Sequence, residues 1–81
     1  MAGYHIRKIK KGVLGHSSKI AEELAEYDDA VEQDIEILAT CELADLYGAL
    51  EALAHKHGLS MNDLKKMADA TKRAFEDGSR K

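Results

Sequence analysis

The chain is predicted to be all-α: a short N-terminal extended arm and about three helices, which complete a four-helix-bundle-type core by oligomerisation. Three observations point there. Proline is absent and glycine is sparse after residue 15, so little interrupts long helical runs. Apolar residues recur three or four apart in three stretches, the signature of helices with one apolar seam. Residues that stop and start helices fall between those stretches. At 81 residues the chain reads as a single domain, 1–81, with an arm over 1–16 and a helical body over 17–78.

The arm holds Tyr4-His5-Ile6-Arg7-Lys8-Ile9, a short strand or extended segment, and Gly12 and Gly15 bracket a turn. That G-x-x-G is too short a signal for a phosphate loop and reads as a flexible entry into the first helix. Helix 1 is expected to open at Ser17 or Ser18, with Ile20, Leu24, Tyr27 and Val31 as its seam. Asp34 is the expected N-cap of helix 2, whose seam is Leu43, Leu46, Leu50 and Leu53. Gly48, with Ala49 and Ala52, offers a surface for close approach by another helix, and Gly58 suits the C′ position. Ser60 and Asp63 resemble a capping box that opens helix 3. Met61, Leu64, Met67, Ala68, Thr71 and Phe75 mark the inner face of this helix, and Gly78 ends it.

Charge is distributed unevenly. Between Ile20 and Ala54 there are eleven carboxylates and no Lys or Arg. Helices usually interleave opposite charges, since i,i+4 Glu/Lys pairs each contribute a few tenths of a kcal/mol. Five of the acids are ordered as Glu22-Glu23-x-x-Glu26 and Glu42-x-x-Asp45. On an ideal helix Glu26 lies about 40° and Glu23 about 100° around from Glu22, so the three share one arc. Each set flanks its apolar seam, and antiparallel seam-on-seam packing is expected to leave the two sets side by side and half buried. Two carboxylates about 5 Å apart repel by on the order of 3 kcal/mol at an effective dielectric of 20. A divalent cation is the expected compensation. Oxygen-only donors select a hard ion, Mg²⁺ or Mn²⁺, over zinc. Asp28, Asp29, Glu32, Glu36 and Glu51 are read as solvated surface. The four histidines show no ligand spacing with an acid pair and are assigned no catalytic role. Tyr47 reads as a seam residue, with stacking on a base as the alternative for it and for Tyr4.

At this level the residues resemble a family. Lys19-Ile20-Ala21-Glu22-Glu23-Leu24-Ala25-Glu26, followed by Glu42-Leu43-Ala44-Asp45-Leu46-Tyr47, is similar to the MazG-like all-α nucleotide pyrophosphohydrolases. Through Gly58-Leu59-Ser60 the stretch also resembles phosphoribosyl-ATP pyrophosphohydrolase, a relative in that superfamily. The likeness covers roughly residues 17 to 65. The ends look more like small stand-alone MazG-like proteins, often phage-encoded, but the distal Asn/Lys/Arg pattern of some members has no clear copy here. The resemblance implies hydrolysis of (deoxy)nucleoside triphosphates between the α- and β-phosphates. It implies that Glu23, Glu26, Glu42 and Asp45 hold Mg²⁺ and that Glu22 orients water or binds a second ion. Lys19, Lys72, Arg73 and Arg80 are the candidate phosphate contacts, from this chain or a neighbouring subunit. The alternatives are the phosphoribosyl-ATP activity or a noncatalytic helical module that binds nucleotide or metal.

Composition narrows the setting. Formal net charge is −3, which disfavours nonspecific nucleic-acid binding. No apolar run is long enough to span a bilayer, and MAGYHIRKIKKG lacks the apolar core of a secretory signal. Cys41 is the only cysteine, so no disulfide forms within the chain, and a single buried-looking thiol fits a reducing cytoplasm. So short a chain buries a thin core, hence the expectation of a homodimer or homotetramer.

Overall fold

A computed structural model describes residues 5–76, whose regular secondary structure is helical throughout, with no strand among them. The elements are α1 (Ser17–Glu32), α2 (Glu36–Lys56) and α3 (Met61–Glu76). Helices α1 and α2 form an antiparallel hairpin, with Lys56 Nζ at the end of α2 lying 3.4 Å from His16 Nδ1 at the start of α1. Helix α3 meets only α2 and has no buried residue. No helix of the described residues is long and apolar enough to cross a membrane.

The caps correct one expectation, at Asp34, and match those for the start of α1, for Gly58 and for the Ser60/Asp63 box. Helix α1 begins at Ser17, preceded by extended His16, whose side chain makes no cap. Ser18 instead accepts a hydrogen bond from Val13 N at 3.0 Å. Asp34 does not cap α2. Its φ is +59°, and it occupies the C′ position of α1, with Asp34 N bonded to Val31 O at 3.0 Å and Ile35 N to Ala30 O at 3.2 Å. That pair of bonds is a Schellman motif, and a short polar side chain tolerates the left-handed conformation better than most. Ile35 precedes α2 without a side-chain cap. Gly58, at φ +74°, closes α2 in the same way, with Leu59 N bonded to Ala54 O. Ser60 and Asp63 form the reciprocal capping box: Asp63 N donates to Ser60 Oγ at 3.1 Å and Ser60 N to Asp63 Oδ2 at 3.3 Å. Asp34→Gly should therefore stabilise the fold, by up to about 1 kcal/mol. A higher urea midpoint at matched protein concentration is the expected result; a lower one contradicts the motif.

Packing reverses the expected orientation of the hairpin. The buried apolar residues are all small: Ala30, Ala39, Ala49 and Ala54. The acids Glu22, Glu23, Glu26, Asp29 and Glu42 are buried with them. Of the large seam residues, Leu24 is 48%, Val31 52%, Leu43 51% and Tyr47 59% exposed, while Ile20, Tyr27, Leu46 and Leu53 are half-buried. Seam and acid stripe are offset by one residue, about 100° around each helix, so a two-helix hairpin turns only one of them inward. This one turns in the acids and alanines. Tyr47 instead lines a groove with Leu50 and with Met61, Leu64 and Ala68 of α3. Nothing lies against the position where Gly48 would carry a Cβ.

The arm is docked rather than flexible. It runs antiparallel to α1: Ile6 N and Arg7 N donate to Asp29 at 3.3 and 2.8 Å, and Gly12 N donates to Glu22 Oε1 at 2.8 Å. Arg7 also pairs with Glu32. Gly12 is required for this approach, because a Cβ there would collide with the Ser18 carbonyl. Met1 to Tyr4, Arg80 and the expected helix stop at Gly78 lie outside the described residues.

Candidate metal centre in the carboxylate cleft

The arc on α1 and the pair on α2 meet across the hairpin. Ligand oxygens of Glu22, Glu23 and Glu26 lie within 4.8 Å of one another, and so do those of Glu23, Glu42 and Asp45. All five face a cleft of about 680 Å³, within the ~300–1,000 Å³ of ordinary ligand sites. Four are buried and Asp45 stands exposed at the rim. The buried oxygens Glu23 Oε2 and Glu42 Oε2 have no hydrogen-bond partner. Burial, then the neighbouring Glu42, pushes the Glu26 carboxyl above its ordinary range. Burial likewise raises Glu23, against the opposing pull of Lys19.

Glu22 differs. Burial pushes it up, but Gly12 N, Lys19 and Lys11 together hold it below the ordinary value. Lys19 Nζ lies 3.1 Å from Glu22 Oε1 and 3.2 Å from Glu23 Oε1, and Lys11 Nζ lies 3.6 Å from Glu22 Oε2. Lys11 and Lys19 both line the cleft. Lys72 and Arg73 are exposed on α3 and do not line it.

Three residues stand where sequence reasoning did not put them. Asp29, expected at the surface, is fully buried. Besides the arm amides it accepts Gln33 Nε2 at 2.6 Å. His5, expected to be uninvolved, reaches the acid cluster: its Nε2 lies 3.8 Å from Glu26 Oε1 and 3.9 Å from Glu42 Oε1, and its Nδ1 3.6 Å from Asp29 Oδ1. Cys41, expected to be buried, is exposed at the wall of the cleft. Helical spacing within one segment carries no signal for the first two, whose contacts between arm and helices span 21 or more residues.

No family model matches the chain, and no curated protein or solved structure is detectably similar to it.

The donor set fits a hard divalent cation. It offers several carboxylates from two helices, two of them with buried unpartnered oxygens, and repulsion that a cation relieves. Glu23, Glu42 and Asp45 form one group that could hold it, and Glu22, Glu23 and Glu26 another.

Asp29 gives a pH prediction. Burial raises its carboxyl, but the hydrogen bonds from Arg7 N, Gln33 and Ile6 N, with His5 nearby, leave it below its ordinary value. A depressed folded value contributes stability above the unfolded value of about 3.9, lost as pH falls through the folded one. The Ile6 and Arg7 amides should stay protected from hydrogen exchange from neutrality down to about pH 4 and lose protection below it. In Asp29→Ala they should be unprotected throughout. Equal protection in the variant contradicts the docking role.

Proposed function

We propose that the protein is a Mg²⁺-dependent nucleotide pyrophosphohydrolase, acting in the cytoplasm on (deoxy)nucleoside triphosphates and releasing the monophosphate and pyrophosphate. One observation carries this reading: carboxylates from two helices converge on one cleft that lysines also line. The similarity of the Glu22–Glu26 and Glu42–Asp45 segments to the MazG-like enzymes supports it. Mn²⁺ is the alternative ion.

In this reading Glu23, Glu26, Glu42 and Asp45 hold the cation. A bound divalent ion supplies the positive field that a triphosphate needs in an otherwise anionic cleft. Lys19 and Lys11 stand at the cleft to meet phosphate oxygens while remaining beside Glu22. Glu22, kept ionised by these neighbours, accepts a hydrogen bond from the attacking water and aims it in line with the scissile bond. A carboxylate with a depressed value is a weak base, so Glu22 orients the water. Lys72, Arg73 and Arg80 would serve a cleft of a neighbouring copy.

The outward leucine seam supports a homodimer or homotetramer. Leu24, Leu43, Leu50 and Val31 are each more than a third exposed, and patches of this kind mark association surfaces. Light scattering at micromolar concentration should give at least twice the monomer mass; a stable monomer contradicts the assembly.

The activity is tested with a panel of ribo- and deoxynucleoside triphosphates and phosphoribosyl-ATP, assayed for pyrophosphate. Mg²⁺-dependent release from nucleoside triphosphates is expected. Release from phosphoribosyl-ATP alone reassigns the substrate, and no release from any member overturns the reading.

A further inference from the structure

The arm brings a nitrogen donor to a cleft otherwise built of oxygens. His5 has a side chain only 8% exposed, and its Nε2 faces Glu26 Oε1 and Glu42 Oε1 at 3.8 and 3.9 Å, on side chains 10% and 8% exposed. The ligand atoms of these three residues lie within 4.8 Å of one another. A point equidistant from three donors at such separations is about 2.0–2.5 Å from each, depending on the third separation, a range that includes transition-metal bonds to imidazole or carboxylate.

Two further features point to a ligand rather than to plain packing. Glu42 Oε2 is buried and makes no hydrogen bond, an arrangement that buried polar groups normally avoid. The second ring nitrogen of His5 faces Asp29, at 3.6 Å. Metal-bound histidines usually present their other nitrogen to a carboxylate, which fixes the tautomer and the ring plane. Asp29 is well placed for this, because it also accepts the backbone N–H groups of Ile6 and Arg7, the two residues that follow His5.

We propose that His5, Glu26 and Glu42 form a mixed nitrogen–oxygen site for a divalent transition-metal ion such as Mn²⁺ or Zn²⁺, with Asp29 as the carboxylate that positions the imidazole. This rests on the metal-binding reading of the cleft and adds to it. The Glu23, Glu42 and Asp45 set offers only oxygens and suits Mg²⁺, whereas an imidazole donor shifts preference toward later transition metals. Binding there also fastens the N-terminal arm across the cleft, since the ion links His5 to both helices of the hairpin.

The test uses the full chain loaded with Mn²⁺ and pulsed electron paramagnetic resonance, which detects imidazole nitrogen coupled to the ion. The expected result is nitrogen coupling in the wild-type protein that changes isotope signature on ¹⁵N-histidine labelling and disappears in His5→Ala. Zn²⁺ affinity should fall at least tenfold in the same variant, while Mg²⁺ affinity changes less than twofold. His16→Ala, outside the cleft, should keep the coupling and shows that the signal reports His5. Mn²⁺ bound without nitrogen coupling in the wild-type protein overturns the His5 site and leaves the carboxylate centre standing. Absence of bound Mn²⁺ overturns both. Should His5→Ala fail to fold, isotope-sensitive coupling in the wild-type protein that survives His16→Ala, His55→Ala and His57→Ala still assigns the ligand to His5, and its loss in one of those variants refutes the assignment.

Discussion

Glu26→Gln and Asp45→Asn should each lower pyrophosphate release by several hundredfold or more, with the helical fold retained. Glu26 lies in the buried arc of α1 and Asp45 at the rim on α2. Each amide keeps the shape of its acid and removes the charge that attracts the cation. Loss of a ligand to a metal worth several kcal/mol in the transition state gives roughly that loss of rate, at about 1.4 kcal/mol per tenfold. Glu51→Gln and Glu32→Gln come from the same acidic block and serve as controls. Glu51 does not line the cleft, and Glu32 makes a half-exposed pair with Arg7, of a kind that contributes little. Both should retain near-normal turnover. If Glu32→Gln and Glu51→Gln lose as much as Glu26→Gln, general acidity rather than a two-helix site explains the activity.

Mg²⁺ or Mn²⁺ should raise thermal stability, and the effect should grow with pH. The Glu23 and Glu26 carboxyls sit above their ordinary values, because burial disfavours their charged forms, reinforced at Glu26 by Glu42 and opposed at Glu23 by Lys19. A group whose folded value is raised binds more protons folded than unfolded. The metal-free protein therefore loses the contribution of these two groups as pH rises from the unfolded value of about 4.3 through the folded ones. A cation in the cleft replaces the protons and removes that loss. Since only the folded chain assembles the site, binding stabilises by mass action, about 2.7 kcal/mol at a hundredfold excess over Kd.

Much of the site was legible in the sequence because it is local. Glu22, Glu23 and Glu26 lie within one and a half turns of a helix, and Glu42 and Asp45 within one, so spacing alone put each set on one face. The helix starts and stops were legible for a similar reason, as with Gly58 and the Ser60/Asp63 box. Asp34 was ambiguous, since an aspartate suits both an N-cap and a left-handed C′ residue. The direction of the hairpin was not legible. Acid stripe and leucine seam share one period and differ by a single residue, so periodicity cannot say which faces the partner helix. The arm was hidden more completely. Asp29 differs from its exposed neighbour Asp28 only in its angle on α1, and the amides that bury it come from Ile6 and Arg7. His5 and Lys11 were missed with it, because contacts across that sequence distance leave no periodic trace.

The central claim is that buried carboxylates from two helices form a divalent-cation site. A thermal melt at pH 8, in EDTA and then in millimolar Mg²⁺ or Mn²⁺ at one protein concentration, tests it most directly. The account predicts a midpoint several degrees higher with the cation, and a much smaller rise in Glu26→Gln. An unchanged midpoint in the wild-type protein would contradict it.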